Sequence, residues 1–139
     1  MLLEVKMQLL RTHPEYLKIT NARALDGDSI EAQVELPLGV AIKRRIRLKG
    51  FFAPEHAGAN PTAADAARER LQAALDVHEC HIQCHGMRND RYGRLTAVLM
   101  LNGRAVHPGM VLGELQLTPS AHKADLNAAR AGGISDRSL

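Results

Sequence analysis

Two alternating runs meeting at Asp26-Gly27 constrain this chain most. Tyr16 to Leu25 reads as one strand. Ser29 to Leu36 reads as the next, with Ile30, Ala32 and Val34 alternating against Glu31, Gln33 and Glu35. Asp-Gly tolerates the positive φ that tight hairpins favour, so the two runs should fold back on each other. Pro37-Leu38-Gly39 turns the chain again into a third run, Val40 to Gly50. There Ile42, Arg44, Ile46 and Leu48 share one face, and Lys43, Arg45, Arg47 and Lys49 share the other. Four cations at every second position make a positive stripe, suited either to solvent or to phosphate.

The rest of the chain changes period. Phe51 to Asn60 is a loop. Asn60-Pro61 supplies an N-cap and a proline at the first helical position. A helix to about Asp76 follows, with Ala64, Ala67, Leu71, Ala74 and Leu75 as its apolar stripe. His78 to His85 alternates as a strand, and 86–93 is a polar loop. Leu95 to Leu101 is a strand, and Asn102-Gly103 turns it. A short helix is expected over Val106 to Leu112, with Pro108 in its first turn and Gly113 ending it. A last helix is expected over Ala121 to Ala131, with Ala121, Ala124, Leu126 and Ala128 inward and Gly132-Gly133 closing it. Five or six short strands with helices at one side and at the end indicate a small β-barrel with helices, an α+β architecture. A core is affordable at 139 residues and 45% hydrophobic content, and one domain is expected over 16–135. Residues 1–15 would be an extension with an edge strand at Val5 to Leu9, and 136–139 a tail.

Cys80 and Cys84 lie in His78-Glu79-Cys80-His81-Ile82-Gln83-Cys84-His85, which has the composition of a zinc cluster. On a strand, residues four apart stand about 13 Å apart, too far for a disulfide or one tetrahedral ion. Only a helix would pair His81 with His85. The strand reading makes the cysteines core residues. No apolar run is long enough to span a bilayer, so no membrane partner is expected. Glu4, Lys6 and Gln8 interrupt the first ten residues, which do not read as a secretory signal; a cytoplasmic location is the expectation. The formal charge of +3 suits a polyanion.

The candidates for chemistry sit at strand ends: Asp28 after the hairpin turn, Arg47 near the end of the basic strand, Glu55 in the next loop, and Arg94 entering a later strand. Phosphodiester hydrolysis needs such groups. Arginine forks bind phosphate oxygens, carboxylates hold a divalent ion, and a further carboxylate activates water. Asp26-Gly27-Asp28-Ser29, Arg47-Leu48-x-Gly-x-x-Ala-Pro-Glu55 and Asp90-Arg91-Tyr92-Gly93-Arg94 resemble, in order and approximate spacing, the motifs of the staphylococcal nuclease (thermonuclease) family. Leu126-x-x-Ala-Arg130-x-Gly-Gly133-Ile134 resembles its closing helix, so the resemblance covers roughly residues 16 to 135.

The resemblance implies a five-stranded oligonucleotide/oligosaccharide-binding (OB) barrel with about three helices. It implies calcium-dependent endonuclease hydrolysis of DNA or RNA with little sequence preference. Arg47 and Arg94 would bind phosphate, and Glu55 would activate or position the attacking water. Asp28 and the Ala53 backbone carbonyl would hold calcium. Lys43, Arg45 and Lys49 of the stripe are candidates for further nucleic-acid contacts. Two departures stand out. Phe52 occupies the place of the second metal carboxylate and offers no oxygen, so calcium should bind weakly or give way to another divalent cation. Asp26 is the candidate substitute, though a turn role is the simpler one. Residues 114–122 lack the base-stacking tyrosines of the family, and aromatics make up 3% of the chain. The alternative is a catalytically inactive OB module that binds nucleic acid or an acidic protein partner without metal.

Overall fold

The computed structural model describes residues 15–84 and 93–137, with side chains over 16–84 and 93–130. β1 (Glu15–Asp26), β2 (Ser29–Leu36) and β3 (Val40–Leu48) form an antiparallel meander. The long loop 49–60 leads into α1 (Pro61–Val77), followed by β4 (Cys80–Cys84), β5 (Leu95–Leu101) and the two-residue β6 (Arg104–Ala105). α2 (Pro108–Leu112), a 3-10 turn at Gly113–Leu115 and α3 (Pro119–Arg137) complete the described chain. β1 pairs with β4, β4 with β5, and β5 returns parallel to β3 through Ile46–Leu95, Arg47–Thr96 and Leu48–Ala97. That parallel contact closes five strands into a mixed barrel, with β6 as an extra strand. The architecture is the expected OB-like α+β barrel. Closure also removes the open sheet edges that a five-strand meander would expose.

The barrel is filled by inward positions of every strand, among them Ile30, Ile46, Leu48, Ile82, Leu95 and Leu99. α1 covers one opening. Asn60 caps it by accepting from Ala63 N–H at 3.0 Å, and Ala64, Ala67, Leu71 and Leu75 turn inward as its spacing predicts. Gln72, expected outside the stripe, instead accepts from Ala24 N–H (2.7 Å) and donates to the Ala22 carbonyl (3.1 Å). It satisfies β1 backbone groups where a register shift interrupts β1–β2 pairing between Thr20 and Arg23. Cys80 and Cys84 are buried on one face of β4, so the strand reading holds.

Three expectations need correction. Gly27 stands in a two-residue turn, but not for a positive φ, which it does not have. A Cβ there would come within 2.6 Å of Ala53 Cβ and 2.7 Å of Ala67 Cβ. Glycine is needed because the turn, the loop and α1 touch at backbone distance. Second, α3 runs through Gly132-Gly133 to Arg137. Glycine costs a helix interior only about 1 kcal/mol and permits termination without enforcing it. Third, the inward face of α3 is not the alanine stripe. Ala121, Ala124 and Ala128 are exposed, while His122 is buried and Asp125, Leu126 and Ala129 are partly buried. Those four positions are spaced i, i+3, i+4, i+7, so the helix has an inward face, and it is half polar. Along β3, Ile46 and Leu48 are buried, whereas Ile42 on the same strand face is exposed. Residues 1–14, with the expected edge strand at Val5 to Leu9, and Asp90 to Tyr92 lie outside the described residues.

Candidate active site

Strand register assembles the site. Ser29 pairs with Arg47 across β2–β3, which brings the preceding Asp28 beside the arginine. Leu48 N–H donates to the Asp28 carbonyl at 2.9 Å and locks that crossing. The parallel β3–β5 register starts at Ile46–Leu95, so Arg94 enters beside the same end of β3. Arg94 Nη1 donates to Ser29 Oγ (3.2 Å), and Ser29 Oγ donates to Asp28 Oδ1 (3.2 Å). Asp28, Arg45, Arg47, Glu55, Arg94, His122, Leu126 and Arg130 line one open cleft of about 360 Å³. Residues from five separate segments thus meet. A larger hollow of about 820 Å³ beside α1 and α2 holds none of the sequence candidates.

The structure brings Arg47, Glu55, Arg94 and Asp28 together as the motifs imply. Arg47 Nη2 stands 3.9 Å from Asp28 Oδ2, and Nη1 donates to the carbonyls of Asp28 (3.3 Å) and Leu48. Ala53 lies fully buried beside the site, with its N–H 3.4 Å from Asp28 Oδ2. Asp26 does not join the cluster. Its Oδ1 holds His56 Nδ1 at 2.6 Å, and His56 Nε2 reaches Asp65 Oδ1 at 2.9 Å. Of the stripe, Arg45 lines the cleft; Lys43 pairs with Glu31 at 3.3 Å, and Lys49 is exposed outside the lining.

His122 is the residue that motif reasoning missed. It is 7% exposed, and its Nε2 lies 3.3 Å from Asp28 Oδ2 and 3.5 Å from Glu55 Oε1. Neither approach is aligned as a hydrogen bond, so the buried Nε2 has no hydrogen-bond partner. The signal available was the α3 stripe His122, Asp125, Leu126, Ala129, whose polar members mark a helix face turned toward other polar groups. Phe52 explains part of the placement. Phe51 is the core residue, 1% exposed, whereas the Phe52 ring turns into the cluster. It packs on His122 with centroids 5.3 Å apart and lies 5.8 Å from Arg47 Cζ.

The electrostatics separate the two carboxylates. Burial pushes the Asp28 carboxyl up, but the facing His122 ring, Arg47 and the Ala53 N–H outweigh it, and the net shift is downward. Glu55 is raised, first by burial and then by Asp28 and Asp26, against the opposing pull of His122. One carboxylate is held ionised and its neighbour is made more basic. Such a divergence suits a fixed anion beside a proton acceptor.

Asp28, Glu55 and His122 offer ligand atoms all within 4.8 Å of one another, so this buried triad could hold a metal ion. Calcium fits it poorly. That ion takes six to eight oxygen ligands, whereas one donor here is an imidazole nitrogen and Phe52 supplies none.

Fold and site together define an OB-like barrel carrying an arginine-lined Asp/Glu/His cleft. No protein-family model and no curated protein matches the chain.

Proposed function

We propose that the chain is a metal-dependent phosphodiesterase of the staphylococcal nuclease type, hydrolysing DNA or RNA with little sequence preference. The observation that carries this reading is the convergence of Arg47, Arg94, Glu55 and Asp28 on one cleft from four separate segments. Arg47 and Arg94 bind the two non-bridging oxygens of the scissile phosphate and favour the dianionic transition state. Glu55, raised by burial and its anionic neighbours, takes a proton from the attacking water. Asp28, Glu55 and His122 would hold a divalent ion, which would supply further positive charge against the phosphate. Recognition stays with the backbone, since cations rather than aromatic platforms line the cleft.

The test is incubation of the full chain with single-stranded DNA and RNA in calcium, magnesium, manganese or zinc. Glu55→Gln should slow cleavage by at least ~100-fold, in line with removal of a general base. Absence of cleavage under every ion, with Glu55→Gln indistinguishable from the parent, refutes the reading.

The Phe52 ring, packed on Arg47 and His122, supports a second reading as a non-cleaving module for nucleic acid or an acidic protein partner. In that case oligonucleotide binding survives Glu55→Gln and chelation alike, and no product accumulates.

A further inference from the structure

We propose that Asp28, Glu55 and His122 form a three-ligand site for zinc, or an ion of the same size and tetrahedral preference such as cobalt(II), rather than for calcium. The inference rests on the nuclease reading and deepens it: Glu55 would ligate through Oε1 alone and keep Oε2 for the proton of the attacking water. Three observations carry it.

The first is the state of His122. Its side chain is 9% exposed, and Nε2 is aimed at two carboxylates without a hydrogen bond to either. A buried nitrogen that faces two carboxylates at ion-pair distance without an aligned hydrogen bond is incompletely satisfied. A cation seated between the three groups gives it a partner.

The second is spacing. Zinc binds imidazole nitrogen and carboxylate oxygen at about 2.0–2.2 Å. Tetrahedral arms of that length put neighbouring ligand atoms roughly 3.3–3.6 Å apart. Nε2 to Asp28 Oδ2 is 3.3 Å and Nε2 to Glu55 Oε1 is 3.5 Å. Both histidine–carboxylate pairs stand at zinc spacing, and all three ligand atoms lie within 4.8 Å of one another.

The third is donor chemistry and charge. Imidazole suits zinc and its neighbours, whereas calcium selects oxygen. Two carboxylates and a neutral ring balance a doubly charged ion. Three protein ligands leave a fourth position open, the pattern of catalytic rather than structural zinc. The same cleft is lined by Arg45, Arg47, Arg94 and Arg130. Phe52, its ring tilted against the imidazole at 5.3 Å, buttresses His122 where it faces the two carboxylates and supplies none of the further oxygen that calcium would need.

The experiment uses the full chain without a polyhistidine tag, stripped with chelator. It is titrated calorimetrically with zinc chloride and with calcium chloride, and by visible absorption with cobalt(II) chloride. One equivalent of zinc should bind at least ~100-fold more tightly than calcium, and cobalt should give the intense bands of a tetrahedral ion. His122→Asn should weaken zinc by ~10–100-fold or more. Histidine ring resonances of the unmutated chain supply a readout independent of the variant's folding. The His122 ring must shift with the first equivalent of zinc. Calcium binding as tightly as zinc, no saturable binding (as for an imidazolium standing in for the ion), unchanged affinity in a folded His122→Asn, or first-equivalent shifts on other histidines each overturns the site. The two proposals fail separately. Cleavage supported by calcium or magnesium in a chain that binds no zinc removes the zinc site and leaves the metal-dependent hydrolase. Stoichiometric zinc without cleavage removes the hydrolase and leaves the site.

Discussion

Asp125 fixes the position of Glu55, and its removal should be felt in both stability and chemistry. Asp125 Oδ2 accepts from Glu55 N–H at 2.6 Å, and Oδ1 accepts from Ala59 N–H at 3.1 Å. The loop 55–59 therefore wraps a carboxylate projected from α3. Hydrogen bonds to a charged acceptor contribute about 1.5–3 kcal/mol each. The Glu55 bond is partly buried and should carry that weight, while water replaces most of the exposed Ala59 bond. Asp125→Ala should then cost about 2–3 kcal/mol, and Asp125→Asn, which keeps one acceptor oxygen, about half. Gly58 provides an internal control. A Cβ there would lie 2.3 Å from Asp125 Oδ1, so Gly58→Ala must displace the same carboxylate. In the Asp125→Ala background that collision is gone, and the two substitutions should be strongly non-additive. Urea denaturation of the four proteins, with cleavage rates alongside, measures the cycle. An Asp125→Ala cost below about 0.5 kcal/mol, the level of an ordinary surface change, would refute this account of the loop.

Gly27→Ala should destabilise by about 1–3 kcal/mol, the usual range for overpacking. Its Cβ meets Ala53 and Ala67 at under 3 Å, and a stability equal to the parent's would show that the turn yields freely. Glu114 is lowered to about 2, chiefly by hydrogen bonds from Arg70 at 2.7 and 3.1 Å. A depressed carboxylate contributes stability above its ordinary value of 4.5 that is lost as pH falls toward about 2. The urea midpoint of the parent should therefore fall more steeply over that window than that of Glu114→Gln, by a small amount because the pair is exposed; equal slopes exclude the linkage. Phe52→Asp places a carboxylate beside His122 and Arg47 and should raise calcium affinity by ~10–100-fold in calorimetry. A folded variant with unchanged calcium affinity would show that residue 52 is not what excludes the ion.

Local pattern carried most of the barrel into view. The alternation in 29–36, the Asn60-Pro61 start and the Asn102-Gly103 turn each follow from short-range chemistry, and the structure uses them as the sequence suggests. The parallel β3–β5 pairing that closes the barrel is another matter. It joins residues about 50 apart and leaves no mark on either strand. The same distinction divides the site. Arg47, Glu55, Arg94 and Asp28 were legible because each belongs to a motif within or beside a turn. His122 was not, because its meaning depends on α3 docking across the cleft mouth. In the sequence it is a lone histidine among alanines and lysine, and a helix read for apolar periodicity turns it outward. Phe52 shows how the two kinds of information combine. Its position in the Arg47–Glu55 motif marks a missing carboxylate, which predicts only a weakened site. In the fold its ring packs against the histidine that faces the two remaining carboxylates. On the zinc reading proposed above, a loss at residue 52 and an apparent irrelevance 70 residues later become one exchange of donor chemistry, nitrogen in place of oxygen, and the exchange would change which ion the cleft selects.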